Sequence, residues 1–470
     1  MPATQRRGSA PARVLSGPAR PVARIRSSPI AIGFIGVPPA VAWSGATGPN
    51  LRGFAILRNP VRSAPACVRV AFARAFHRLG YAPCPPAPPL SPATFVIIGS
   101  GIAAASLGYF LAPHARVVLL EREEQPGYHS TGRSAALFME SYGPPQVRAL
   151  TMASRAFLER PPAGFAEHPI LTPRGALMVA EPGQDALLDA HWGVMQTVSP
   201  TGRLLDAVGT RALVPVLRPE RVLGGVYEPD AMDIDVHALH QGYLRGIRAS
   251  GGELVCGAEV VAIERAGAGR ERWRVSAASG TRVDADVVVN AAGAWADVVG
   301  RMAGARPLGV VAKRRAAFVF APPEGIDSSA WPLFGGVDHT WYVKPDAGQL
   351  LGSPANEDPV EPQDVQPDEL DIALGVDRIQ AMTTLEVPRV IRRWAGLRSF
   401  VADGDLVGGF DPELDGFFWV VGQGGYGIQT SAAMGEACAA LLRGAPLPAH
   451  VARFGVGAAT LSPARLATPG

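Results

Sequence analysis

Gly99, Gly101 and Ala104, followed at Glu121 by an acid, are the residues of this 470-residue chain whose types and spacing most directly specify chemistry. They sit in the segment FVIIGSGIAAASLGYFLAPHARVVLLE, residues 95–121. Glycine at the first position permits a tight turn, and glycine at the second lets the backbone approach a pyrophosphate. A small residue at the third lets a helix pack on a strand. A helix opened by such a turn aims its free N–H groups and partial positive charge at phosphates. A carboxylate twenty-two positions after Gly99 suits the two hydroxyls of a ribose. The chemistry is recognition of an adenine dinucleotide.

The elements that must position these residues are legible around them. Phe95–Ile98 is apolar without alternation, as in a parallel strand covered on both faces, and residues 117–120 repeat that pattern. Helices are predicted over 144–159, near 185–194 and over 236–248. Strands are predicted over 174–179, 253–256 and 259–263, with a small hairpin over 273–277 and 281–284. Residues 285–290 form another buried strand that ends at Gly293. Over 310–321 and 341–351 the pattern changes to alternation, the mark of an antiparallel sheet. Residues 359–371 read as an acidic, Pro-containing loop. The chain then returns to strand 416–421, a glycine turn over 422–427 and helix 428–442, a further anion-binding helix start. The expected fold is α/β: a Rossmann-type dinucleotide-binding domain assembled from discontinuous segments (91–172, 236–305 and 395–445), with an inserted antiparallel-sheet substrate domain (173–235 and 306–394) and a tail at 446–470.

Composition is that of a globular protein, 47% hydrophobic and 18% charged. Residues 1–90 hold twelve Arg and no Lys, Asp or Glu, so the net charge of +3 leaves 3 − 12 = −9 for the remainder. The basic balance therefore gives no argument for nucleic acid. Three readings compete for this leader: an organelle transit peptide, a disordered arm, or upstream sequence read through from an early start codon, which is the favoured one. The apolar run Ile30–Trp43 is short and broken by Pro38 and Pro39, so no membrane span is expected. Four scattered Cys and nine His show neither disulfide nor metal spacing. A cytoplasmic location is expected, with an organelle as the lesser reading.

Five segments, GSGIAAA, PGYHSTGRSAA, VVVNAAGAWAD, RSFVADGD and GQGGYGIQTSAAMGEA, occur in an order that resembles the D-amino acid oxidase/glycine oxidase superfamily of FAD-dependent oxidoreductases. Their wording is most similar to that of the FAD-dependent D-arginine dehydrogenases, over about residues 93–445. The resemblance implies non-covalent FAD. Its contacts, carried over by position, are Gly99, Gly101, Ala103, Glu121, Arg122, then Ser130, Thr131, Gly132, Arg133, Ser134, Ala135, Ala136 and Leu137, then Val260, Gly293, Gly424, Gly425, Tyr426, Gly427, Ile428 and Gln429, with Ala104 as the small residue of the fingerprint. The alternative for 130–133 is a solvated loop.

The resemblance also implies a substrate end. Arg315 and Arg398 match the family's carboxylate clamp, a task suited to the planar guanidinium fork. Because Arg314 and Arg315 alternate in direction, one of them faces inward, and position favours Arg315. Tyr142 and Tyr342 match pocket tyrosines, with core packing as the alternative, and Gly425 lies against the substrate. Two positions depart from the arginine-specific pattern: Leu137 stands where a pocket His is expected, and Ala176 where a Glu pairs the substrate guanidinium. A buried cation without a carboxylate is costly, so a neutral substrate side chain is expected. The implied reaction is oxidative deamination of a D-amino acid to an imino acid, then a 2-oxo acid and ammonia, with an electron acceptor not specified. Oxidation of a secondary amine such as an N-alkyl glycine, by an oxidase or a dehydrogenase, is the alternative. Leu350 or Leu351 occupies the rough position of the lysine that promotes oxygen reaction in the sarcosine-oxidase branch, which leans toward a dehydrogenase. A non-catalytic FAD-binding subunit and an NAD(P)-linked enzyme rank lower.

Overall fold

The computed structural model describes residues 93–267 and 273–466. The Arg-rich leader and the run Ile30–Trp43 lie outside the described residues. A six-stranded sheet runs in the order Val407–Phe410, Phe417–Val421, Val287–Asn290, Thr94–Ile98, Arg116–Leu120, Glu253–Val255. All neighbours are parallel except the edge pair Val407–Phe410 and Phe417–Val421. Its central strands are covered on both sides, which is why their sequences lack alternation. On one face lie helices Ile102–Leu111 and Ser431–Leu442, which cross closely because a Cβ at Gly435 would come within 2.7 Å of the Ser106 backbone. On the other face a three-stranded meander, Val260–Arg265, Trp273–Ala277 and Arg282–Ala285, packs Trp273 and Val275 against Val96, Val118 and Val288.

The second sheet is mostly antiparallel and contains nine strands, in the order Asp358–Val360, Val311–Phe320, Gln349–Ser353, Tyr342–Asp346, Leu333–Gly336, Ala176–Ala180, Gly224–Glu228, Arg203–Asp206, with Arg392–Phe400 also paired to Val311–Phe320. One pair, Leu333–Gly336 with Ala176–Ala180, is parallel. The fold is thus a Rossmann-like parallel sheet joined to an antiparallel substrate-domain sheet.

Four local readings change. Arg392–Phe400 belongs to the antiparallel sheet, so the boundary expected at 395 falls after Phe400; the alternating burial of this strand is that of a sheet with two different faces. The run 341–351 is two strands folded at Ala347 and Gly348, both at positive φ (48° and 76°), the geometry of a tight hairpin turn. The acidic loop at 359–371 ends in a helix, Glu369–Met382, capped by Asp368, whose carboxylate accepts from Leu370 N at 2.9 Å. Ile372, Ile379 and Met382 bury the inner side of that helix, a pattern the preceding acids and prolines obscure. Residues 446–466 pack as short helices, with Val451, Val456 and Leu461 buried in the core beside the parallel sheet. Among the described residues no helix is long and apolar enough to cross a membrane.

Candidate active site

Glycine turns follow three of the parallel strands at their C-terminal ends, Gly99 after Ile98, Gly293 after Asn290 and Gly422 after Val421, and Glu121 with its loop follows Leu120. Ligands of open α/β sheets bind at this edge. Gly99 adopts φ +102°, and a Cβ there would meet the Ala291 carbonyl oxygen at 2.7 Å, so both conformation and space demand glycine. Glu121 Oε2 accepts from Ser100 N at 2.9 Å and from Ser100 Oγ at 2.6 Å, while Oε1 accepts from Glu123 N at 3.0 Å. The acid thus braces the turn it serves. Thr131 Oγ1 accepts from Ile102 N at 3.0 Å, bringing the 130–137 loop onto the first helix start. Arg133 Nη1 donates to the carbonyl oxygens of Val365 and Ala395, its Nη2 pairs with Asp364, and Trp394 Nε1 donates to the Arg133 carbonyl. The loop is thereby fastened to the antiparallel sheet.

A cavity of about 770 Å³ lies between the two sheets. Its walls are Ile102, most of Ser130–Leu137, the segment Met139–Pro144, part of the antiparallel sheet, and Gln423–Gln429. That volume falls in the range of cofactor and ligand sites. The combination of close backbone approach, two helix starts and a carboxylate at the ribose position fits a dinucleotide. The residues named for its adenosine half, Gly99, Gly101, Ala103, Ala104, Glu121, Arg122, Val260 and Gly293, are not among those lining this cavity. Ala104 is wholly buried, and Arg122 stacks on Trp295 with its guanidinium carbon 5.0 Å from the ring centre.

Strand register explains how Arg315 and Arg398 come together. Lys313 pairs with Arg398 and Arg315 with Gly396, so the two arginines are diagonal neighbours on one face. Arg314 projects from the other face and its Nε lies 2.8 Å from Asp371. Arg398 Nη1 donates to Tyr142 Oη at 3.1 Å, so its guanidinium is bonded to a phenol rather than a carboxylate. It lies flat against the glycine turn: a Cβ at Gly425 would meet Nη1 at 2.5 Å and Cζ at 2.7 Å. Arg315 is committed differently. Its Nε donates to the Asn356 carbonyl at 2.7 Å and its Nη2 pairs with Glu357 at 2.9 Å. Burial, and then Arg398, press the Arg315 pKa below its ordinary value. Burial alone would raise the Tyr142 phenol, but Arg398 and Arg315 more than offset it and leave it lowered. Tyr342 shares the cavity wall, as do Leu137 and Gly425.

Ala176 does not line the cavity. It is 1% exposed, and Met178, two residues along the same strand, takes the wall position instead. Leu177 points to the opposite core, packing with Phe334 and Phe318. Leu350 and Leu351 are likewise buried and absent from the wall. Sequence reasoning missed Arg148, His191, His339 and Glu357, all of which face the cavity. His191 sits on helix Asp185–Val198, and burial, then His339 and Arg148, push it down to about 4. His339 occupies a hairpin turn at φ 57°, and Ala355, beside Glu357, is at φ 50°. Among the described residues, two of the three non-glycine residues with positive φ therefore border this one cavity. A lone His in an amphipathic helix or a Glu in a loop carries no signal in sequence.

Comparison with known proteins follows the same lines. The family model described as DAO, FAD dependent oxidoreductase, matches residues 94–441. Glycine oxidase of Bacillus licheniformis is 25% identical over 371 residues, covering 75% of this chain and 93% of that protein. The mitochondrial dimethylglycine dehydrogenase of Rattus norvegicus is 26% identical over 281 residues, covering 57% of this chain. The matched part spans 32% of that relative's length. In structure, glycine oxidase from Geobacillus kaustophilus superposes with a TM-score of 0.66 at 20% identity, over 77% of this chain and 98% of that one.

Proposed function

The chain belongs to the DAO family of FAD-dependent oxidoreductases, and from that premise we propose that it oxidises the Cα–N bond of a D-amino acid with a neutral rather than cationic side chain. The D configuration follows the resemblance of the five motifs to D-arginine dehydrogenases. When bound, FAD supplies the hydride acceptor. Gly424–Gln429 and Ser130–Leu137 would hold its ring end, and Glu121 with the Gly99–Gly101 turn its adenosine end. Arg398 binds the substrate carboxylate, oriented by Tyr142 Oη and by its seat on Gly425. Arg315 adds positive potential while holding the Asn356–Glu357 loop. Tyr342, Tyr142 and Tyr426 wall the site and keep water from the reacting carbon. The substrate gives up the hydride from Cα and a proton from its amino group, the proton passing to solvent, and after release water hydrolyses the imino acid to a 2-oxo acid and ammonia.

The single observation carrying this reading is the Arg398 guanidinium, bonded to a phenol and laid on the glycine turn at the cofactor end of the cavity. The side-chain preference rests on Leu137, Met139, Met178, Val194 and Leu333, an apolar stretch of the same wall. We read the enzyme as a dehydrogenase, since no lysine is among the described residues lining the cavity, and its FAD as non-covalent, as the resemblance of the motifs implies. A second reading, oxidation of an N-alkylated glycine, is favoured by the name of the dimethylglycine dehydrogenase relative. The experiment that separates them is anaerobic bleaching of the flavin by D-amino acids, L-amino acids and N-methylglycine. Bleaching by neutral D-amino acids supports the first reading, and bleaching by N-methylglycine alone replaces it with the second.

A further inference from the structure

We infer that the cavity contains a second anion-binding subsite, formed by Arg148, His191 and His339, which takes a carboxylate on the substrate's side chain. The three groups face the same cavity. The two imidazole rings lie edge to face with centroids 6.3 Å apart, and His339 is in turn 6.2 Å from the Tyr142 ring. His191 Nε2 is buried without a hydrogen-bond partner. A buried polar atom left unmatched is costly and calls for an explanation. Arg148 is anchored through Nη1 on the Gly143 carbonyl oxygen and not on a carboxylate. Three possible donors thus share one wall on which none of them is paired with a carboxylate by a hydrogen bond or ion pair.

The two acids on this wall are already engaged. Asp338 Oδ1 accepts from Thr340 N at 3.2 Å and from Thr340 Oγ1 at 2.9 Å. Glu357 pairs with Arg315 at 2.9 Å and with Lys313 at 3.1 Å. His339 sits at φ 57°, in the left-handed region that histidine enters more readily than most residues, within the turn between Leu333–Gly336 and Tyr342–Asp346. The wall also includes Met178, Val194 and Leu333, which suit the methylene groups of a side chain. Arg148, the charged member of the cluster, repels a cationic side chain, and with the imidazole N–H groups as further donors an acidic side chain is preferred to a neutral one of equal length. The inference rests on the proposed function for placing the first carboxylate at Arg398 and departs from it in one respect: the side chain, non-cationic as in that reading, ends in a carboxylate, so the substrate class is dicarboxylic amino acids.

The test is calorimetric titration of the purified holoenzyme with succinate, glutarate and adipate, each against its half-amide, so that only the second charge differs. At least one diacid should bind more than about fivefold tighter than its half-amide, the scale of a charge-assisted hydrogen bond. Arg148→Gln should reduce that preference to within about twofold. If all three pairs bind within fivefold in the unmodified holoenzyme, the subsite is refuted. Should Arg148→Gln fail to retain flavin, His191→Leu must lower the preference instead, and an unchanged preference there also refutes it. Arg398→Ala keeps the two readings distinct. It should weaken diacid and half-amide alike, and if it weakens neither, the proposed function fails whatever the subsite result.

Discussion

Replacing Arg398 by Ala should lower kcat/KM by about 30-fold or more while leaving flavin content and Tm nearly unchanged. The magnitude comes from the setting of the side chain. Removing one partner of a desolvated charged pair costs about 2–5 kcal/mol, and 2 kcal/mol is roughly a 30-fold change. In the free protein the same truncation gives up one hydrogen bond, to Tyr142 Oη at 3.1 Å. It also removes a like charge that depresses Arg315, so the loss of folding stability is partly offset. Arg315→Ala is the contrasting control. It strips donors from the Asn356 carbonyl and from Glu357, so it should lower Tm more than Arg398→Ala does. The assay is steady-state reduction of a dye acceptor with the preferred substrate, run beside thermal melts and flavin absorbance for each variant. An unchanged kcat/KM in Arg398→Ala would show that this residue does not hold the carboxylate. A loss of flavin parallel to the loss of activity would show that it supports the cofactor instead.

Gly99→Ala should yield protein depleted of flavin, because the new Cβ would sit 2.7 Å from the Ala291 carbonyl at φ +102°; full flavin occupancy in this variant contradicts the placement of the cofactor turn. D-Arginine and D-lysine should be poorer substrates than neutral D-amino acids in kcat/KM, and Met178→Glu should move selectivity toward the cations by about 1.5–3 kcal/mol if a charged hydrogen bond forms. Ala176→Glu should only destabilise, since that residue is 1% exposed in an apolar cluster; a selectivity switch there and none at 178 would invert the assignment of the wall. His191 gives a pH signature. Its pKa falls from 6.5 to about 4 on folding, so the folded state binds fewer protons, and the associated stability is fully present above 6.5 and lost as pH falls toward 4. Unfolding free energies from denaturant titrations should decline over that window by at most about 3 kcal/mol, and His191→Gln should flatten the slope; an equal slope in both proteins would place the titrating group elsewhere.

Much of the cofactor half was legible in sequence because it is local. A turn, the helix it opens and the acid closing the next strand are all held within residues 95–121, and each has a backbone requirement that shows in residue type. Gly99 is glycine because φ is positive and the space is closed. The alternation of Arg314 and Arg315 likewise follows from one strand. What sequence could not show is which separated strands become neighbours. Ala176 was placed on the wall by position, yet pairing with Leu333 on one side and Glu228 on the other buries it. The helix at 369–382 stayed hidden because its apolar residues are identified only by the sheet they cover.

The amino-acid sequence by itself pointed to the parallel sheet and the glycine turn after its first strand, since these depend on short-range spacing and on strand periodicity, whereas Arg315 and Arg398 were singled out by resemblance to a family. Only the tertiary structure decided what each arginine is bonded to. Arg398 meets Tyr142 from 256 residues away, and Arg315 is engaged by Asn356 and Glu357 about 40 residues on. The far wall is a tertiary product altogether, because Arg148, His191 and His339 come from two different helices and a hairpin turn. Side chains on separate elements acquire a common environment only when packing sets those elements' rotation and distance, and no spacing along the chain encodes that.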